Sequence, residues 1–209
     1  RTVVTPSTLS IFDGLIRFRG RMSSHGDEQF FFLNTSFEQI DLNQAAKAFS
    51  EQANPVTGRL SGEGTIMTSA EASRLSAQLD LRISESDLAN NEIIGTLYNL
   101  INFQPGDKPA GEGQVSLRFN GRRLDIPSFR YFNRGIEIRG SGTVEDLTAG
   151  DESPINGAAI ASTRPFADLD IPGTASLDRL LSAIQTSATA VRIGGTVGDP
   201  DPRVVPLPE

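Results

Sequence analysis

Gly113-Gln114-Val115-Ser116-Leu117-Arg118-Phe119-Asn120-Gly121 alternates apolar and polar side chains, then ends on a pair of residues that tolerate positive φ. Successive side chains of a strand point to opposite faces, so Val115, Leu117 and Phe119 share one face and Ser116, Arg118 and Asn120 the other. Asn120-Gly121 is a short-hairpin signal. A second strand then runs through Leu124 and Ile126 to Phe129 and Tyr131. Its parity flips at Pro127-Ser128, which predicts a bulge or an edge position. Asn133-Arg134-Gly135 makes the next turn, and Ile136 and Ile138 alternate with Glu137 and Arg139 before Gly140-Ser141-Gly142. The span 113–145 reads as a three-strand meander.

The same alternation recurs on both sides of it. Leu79, Leu81 and Ile83 alternate with Asp80, Arg82 and Ser84, Ile16 and Phe18 with Arg17 and Arg19, and Val191 and Ile193 flank Arg192. Arg, Glu and Asp are poorly buried unless paired, so these strands belong to an antiparallel sheet with one covered face. A parallel, doubly wound sheet needs continuous apolar runs, and the chain has none of that kind. Three segments switch to a helical period: Leu42, Ala45, Ala46 and Phe49 behind Asp41; Ile93, Ile94, Leu97, Leu100 and Ile101; and Leu177, Leu180, Leu181 and Ile184. Each stripe suits packing on the greasy side of a sheet; the opposite faces carry Asn, Gln, Ser, Asp and Lys, short of the Lys- and Arg-rich face of a membrane-surface helix. The expected fold is mainly β with a few amphipathic α-helices packed on the apolar sheet face. Residues 1–8, 104–112, 146–154 and 198–209, rich in Gly, Pro or acidic residues, read as linkers. Gly58 to Ile66, Arg139 to Val144 and Arg192 to Val197 echo one another around paired glycines, at no fixed period.

The 209 residues carry a net charge of −7, which opposes nucleic acid and docking on anionic headgroups by charge. Without cysteine there is no disulfide, thiolate metal site or thiol nucleophile in this sequence. Its start at Arg1 and its tail Pro206-Leu207-Pro208-Glu209 read as cuts in a longer parent chain. No apolar run approaches the roughly 18–20 residues of a membrane-spanning helix.

Catalytic chemistry finds little to work with. The single histidine, His25, lies in the turn-like Ser23-Ser24-His25-Gly26-Asp27, with no nucleophile elbow around it. Asp168-Leu169-Asp170 and Asp199-Pro200-Asp201 each offer two carboxylates but do not continue into a calcium loop, so they read as solvated turn acids. Gly62-Glu63-Gly64 and Gly140-Ser141-Gly142 sit inside strand patterns rather than before helices, as bends and not phosphate cradles. Phe30, Phe31 and Phe32 suggest core packing or a groove lining. No catalytic residue, cofactor or metal is expected.

Taken in order, Gly58-Arg59-Leu60-Ser61-Gly62-Glu63-Gly64, the strand Leu79 to Ile83, the helix ending Leu97-Tyr98-Asn99-Leu100, and the strands Val115 to Phe119 and Ile136 to Val144 form a series. It closes on Val191-Arg192-Ile193-Gly194-Gly195-Thr196-Val197-Gly198-Asp199-Pro200. This series resembles the C-terminal region of AsmA-like proteins, relatives of TamB. The resemblance covers roughly residues 55–205, and divides the chain into a strand-helix lead-in (1–54), an AsmA-like β-rich domain (55–205) and a tail (206–209). It implies a curved, taco- or half-pipe-like groove in the bacterial periplasm and cell envelope, anchored through another part of the parent chain. Its apolar face would serve phospholipid transfer or outer-membrane homeostasis, with no catalytic residues to carry over.

The leading expectation is therefore a non-catalytic envelope module whose apolar face touches phospholipid acyl chains or envelope proteins. The lining candidates are Leu79, Leu81, Ile83, Val115, Leu117, Phe119, Ile136 and Ile138. Burial of acyl carbon there is worth about 0.8 kcal/mol per CH₂. The rival is a glycan-binding or hydrolytic surface β-domain, with exposed Tyr98, Tyr131 or Phe rings beside acids. A scaffold without a ligand is the third reading.

Overall fold

Alternation with turns at short intervals produces a meander in the computed structural model, which describes residues 2–25, 28–49, 57–69, 75–87, 111–133, 136–162 and 188–205. Eleven strands form one sheet in chain order, each antiparallel to its sequence neighbours. They are β1 (Thr2–Ile11), β2 (Gly14–His25), β3 (Glu28–Asp41), β4 (Thr57–Ser69), β5 (Ser76–Asp87), β6 (Gly111–Asn120), β7 (Arg123–Asn133), β8 (Ile136–Val144), β9 (Ile155–Ser162), β10 (Ala188–Gly195) and β11 (Pro200–Val205). β1 and β11 are the two edges, and the sheet does not close. β3 pairs with β4 from Phe30↔Ser69 to Asp41↔Arg59, so the sheet is continuous across residues 50–56.

The turns are where the sequence reading needs correction. The β6–β7 loop is Gly121-Arg122, with Asn120 still paired to Arg123, so the turn lies one residue later than Asn120-Gly121 suggests. Gly121 takes φ 61 there, the left-handed conformation that glycine adopts at no steric cost. Phe12-Asp13 makes the β1–β2 loop with φ 51 and 55, although both are non-glycine. The expected bulge near Pro127 is present: the β7–β8 register slips between Ile126 and Phe129, and β6–β7 slips between Ser116 and Arg118. Two expected linkers are strands. Residues 2–8 belong to β1 and 200–205 to β11, where β-branched Thr and Val suit a strand and proline is tolerated at a sheet edge. Residues 147–152 form a 3-10 turn (Leu147–Glu152), capped by Asp146, whose carboxylate accepts from the Thr148 amide at 3.0 Å.

The first expected helix forms as α1 (Leu42–Phe49). Asp41 Oδ1 accepts from the Gln44 amide at 2.9 Å, satisfying one of the free N–H groups of the first turn. α1 adjoins β3 and β4. The stripes at Ile93–Ile101 and Leu177–Ile184, like Tyr98 and Asp168-Leu169-Asp170, lie outside the described residues.

The fully buried core is at one end of the sheet. Tyr131, Ile136, Ile138, Ala159, Ala161 and Val191 form its cluster, on β7 to β10, with Phe129 and Ile193 packed against it. Glu137, Ile160 and Ser162 are buried on the other face of the same strands, so this end is covered on both sides.

Candidate functional site: the apolar sheet face

Cross-strand partners point to the same face, so the registers sort the side chains of the whole sheet. Leu79 pairs with Leu117, Leu81 with Val115, Ala77 with Phe119 and Ile83 with Gly113. Towards β1 the same face continues through Leu60, Ile66, Leu33, Phe37, Phe18 and Ile16. Towards β11 it continues through Phe129, Tyr131, Ile138, Ala161, Val191 and Val204. No Asp, Glu, Lys or Arg occupies a paired position of this face among the described residues. The other face carries Arg17, Arg19, Glu63, Asp80, Arg82, Arg118, Asp125 and Arg139 at paired positions.

Burial along the apolar face is uneven. From β2 to β6 most of its side chains are half-buried, although Thr35, Ile40 and Ser86 are buried, and Leu9 on β1 is 48% and Phe31 on β3 39% exposed. From β7 to β10 the face fills, and the pattern of small residues leaves one hollow. Gly140, Gly142, Gly157 and Ala159 make a floor, because Gly140 pairs with Ala159 and Gly142 with Gly157. Val115, Ile126 and Phe129 wall it on one side and Val144, Ile155 and Ile193 on the other, enclosing about 460 Å³. That volume is within the roughly 300–1,000 Å³ of small-molecule pockets.

The eight lining candidates divide on this geometry. Ile83 and Val115 border the hollow, and Leu79, Leu81 and Leu117 extend the half-buried apolar face beyond it. Phe119 lies in the outer row with Ala77 and Leu124. Ile136 and Ile138 belong to the filled core at 0% exposure, and Ile138 is also among the residues that line the hollow. Alternation places both on the right face but says nothing of depth. The glycine floor and Ile126, Phe129, Val144, Ile155 and Ile193 were not among the expected lining. Their signal is the small residue at the apolar parity of neighbouring strands, which needs the register to be seen.

Tyr131 is buried rather than exposed on the wet face. Its hydroxyl donates to the Ser86 carbonyl at 3.3 Å, and its ring lies across Gly111, where an added Cβ would stand 2.2 Å from the hydroxyl. Phe31 faces the apolar side, while Phe32 faces the polar side with the Arg21 guanidinium 4.7 Å from its ring centre. His25 ends β2 opposite Glu28, and Asp201 pairs with Arg203. On the polar face Glu137, fully buried, accepts from Arg130 Nε at 2.6 Å and Arg139 Nε at 2.9 Å. Compared with known proteins, the chain matches no family model, no curated protein and no solved structure.

Proposed function

We propose that this chain is a non-catalytic module whose apolar sheet face receives the acyl chain of a lipid, as one segment of an AsmA-like groove in the bacterial cell envelope. The single observation that carries the reading is an apolar face eleven strands wide, without a charged side chain at its paired, described positions. A face of that extent left half-buried marks an interaction surface, since contiguous exposed apolar patches are rare on soluble proteins. The hollow over Gly140, Gly142 and Gly157 is the entry point for a hydrocarbon chain. Its walls offer hydrocarbon and peptide backbone, groups that hold a chain without acting on it. Each CH₂ moved there from water is worth about 0.8 kcal/mol.

The bulges in β3, β5 and β7 bend and twist the strands, which supports a curved, half-pipe sheet. In this reading the amphipathic helices partly close the apolar face, and the rest of a longer parent chain or other envelope proteins continue the groove. Phospholipid transfer and outer-membrane homeostasis are the roles that such a groove serves.

The test is photo-crosslinking of the purified chain incubated with a labelled long-chain fatty acid or phospholipid. A photoreactive residue in place of Leu81 or Val115 should capture the lipid, and one in place of Arg82 or Gln114, on the opposite face, should not. Equal capture on both faces, or none on either, refutes the reading.

A further inference from the structure

The polar face has a depression of its own, about 850 Å³, crossing from β2 to β7. One wall is a single cross-strand row, Arg19-Asn34-Thr65-Gln78-Arg118, held in line by four successive register pairs. Neighbouring strands lie about 4.8 Å apart, so the row spans about 19 Å. The facing wall includes Arg21, Phe32 and Met67.

The charges in this trench are unlike those around it. Elsewhere on the face most arginines meet carboxylates, Arg192 excepted: Arg17 meets Glu38, Arg82 meets Glu112 at 2.8 Å and Arg203 meets Asp201 at 2.6 Å. Arg19, Arg21 and Arg118 form no ion pair among the described residues, and Asp125 beside Arg118 is held by Arg123 at 2.7 Å. Asn34, Thr65 and Gln78 likewise form no side-chain hydrogen bond among the described residues. A chain of net charge −7 thus keeps three guanidinium groups without an ion pair in one concave place, beside the single carboxylate of Asp125 and joined by a line of neutral hydrogen-bonding side chains.

We infer that this trench binds a linear anionic polysaccharide. The guanidinium forks take the acidic groups, and the Asn, Thr and Gln row takes hydroxyls. Phe32 and Met67 add apolar surface between the guanidinium groups. A bilayer is too flat to seat its headgroups in a trench. Nucleic acid carries a denser line of charge than three guanidinium groups match, and its binders need a broader basic footprint. An acidic peptide adding as a strand needs a free sheet edge, and the trench lies mid-sheet. The site is on the face opposite the proposed acyl surface, so either can fail without the other.

The experiment is fluorescence anisotropy of labelled oligogalacturonate titrated with the whole chain at low and high salt. Saturable, salt-weakened binding is expected, and Arg19→Gln with Arg118→Gln should weaken it by about tenfold or more. A charge-matched control outside the trench, Arg82→Gln with Arg203→Gln, should bind as the unmodified chain does, with circular dichroism verifying the fold of both. Undiminished binding by the trench variant overturns the inference. So does equal competition by neutral dextran, or binding of phosphatidylglycerol vesicles in place of the oligosaccharide.

Discussion

Glu137 shows how one side chain can hold neighbouring strands together. Its carboxylate has no exposed surface and receives both Arg130 and Arg139, whose side chains remain 48% and 29% exposed. Glu137→Gln keeps the shape and removes the charge, so the loss is that of charge-assisted hydrogen bonds, about 1–3 kcal/mol. Urea unfolding should show the midpoint falling with the slope unchanged. Tyr131 and Gly111 are a second tight spot: Gly111→Ala drives a methyl into the Tyr131 hydroxyl and should cost more stability than Tyr131→Phe, which loses only the bond to Ser86. A third is Asp146. The hydroxyl and amide of Thr148 both donate to its carboxylate and hold its pKa below the ordinary range. A depressed folded-state pKa gives a contribution that is intact above the unfolded pKa of about 3.9 and lost as pH falls through the folded one. The Thr148 amide should therefore lose hydrogen-exchange protection on acidification, and Asp146→Ala should abolish that pH dependence. None of these contacts is readable from the chain alone. Glu137 looks like any alternating wet-face acid, and only the burial of that strand pair on both faces makes it a clamp.

At the scale of the element, the hairpin between β6 and β7 separates backbone conformation from packing. Gly121 has φ 61, and an added Cβ there meets nothing within 4 Å. Any cost of substitution is therefore conformational. Gly121→Asn should be nearly neutral and Gly121→Val should lose about 1–2 kcal/mol, read from denaturant midpoints. The edge β11 makes a complementary case. Pro200 and Pro202 share a parity, and proline is confined to sheet edges because it cannot donate to a ladder on both sides. Replacing both with Thr restores the missing donors and should promote edge-to-edge association, visible by light scattering. The strands were legible because alternation is a local property: β2, β5, β6, β7, β8 and β10 all stand where their apolar and charged residues alternate. β1 and β11 were hidden, since Pro6, Pro200 and Pro202 carry the same signature in a loop and on a protected edge. The hollow was hidden for a different reason. It arises where glycines on β8 and β9 fall opposite one another, and register across strands is not written in either strand alone.

Over the whole molecule, each strand pairs only with its neighbours in sequence, so the sheet behaves as a nearly one-dimensional stack of hairpins. Stability in such a stack need not be uniform, because each part depends on its own burial. Here burial is concentrated on β7 to β10, where Ile136, Ile138, Ala161 and Val191 are covered, while Leu9 on β1 is 48% exposed. Native-state hydrogen exchange should accordingly show a gradient, with the slowest amides at Ile138, Ala161 and Val191 and the fastest in β1. A bound acyl chain would add contacts to the hollow and to the half-buried face beside it. Protection should then rise at Val115, Ile126, Gly142 and Gly157, while β1 stays as it was. Uniform protection along all eleven strands would mean that the sheet opens as one unit, contrary to the burial pattern. A lipid-induced rise confined to the wet-face trench would place the hydrocarbon on the wrong side of the sheet.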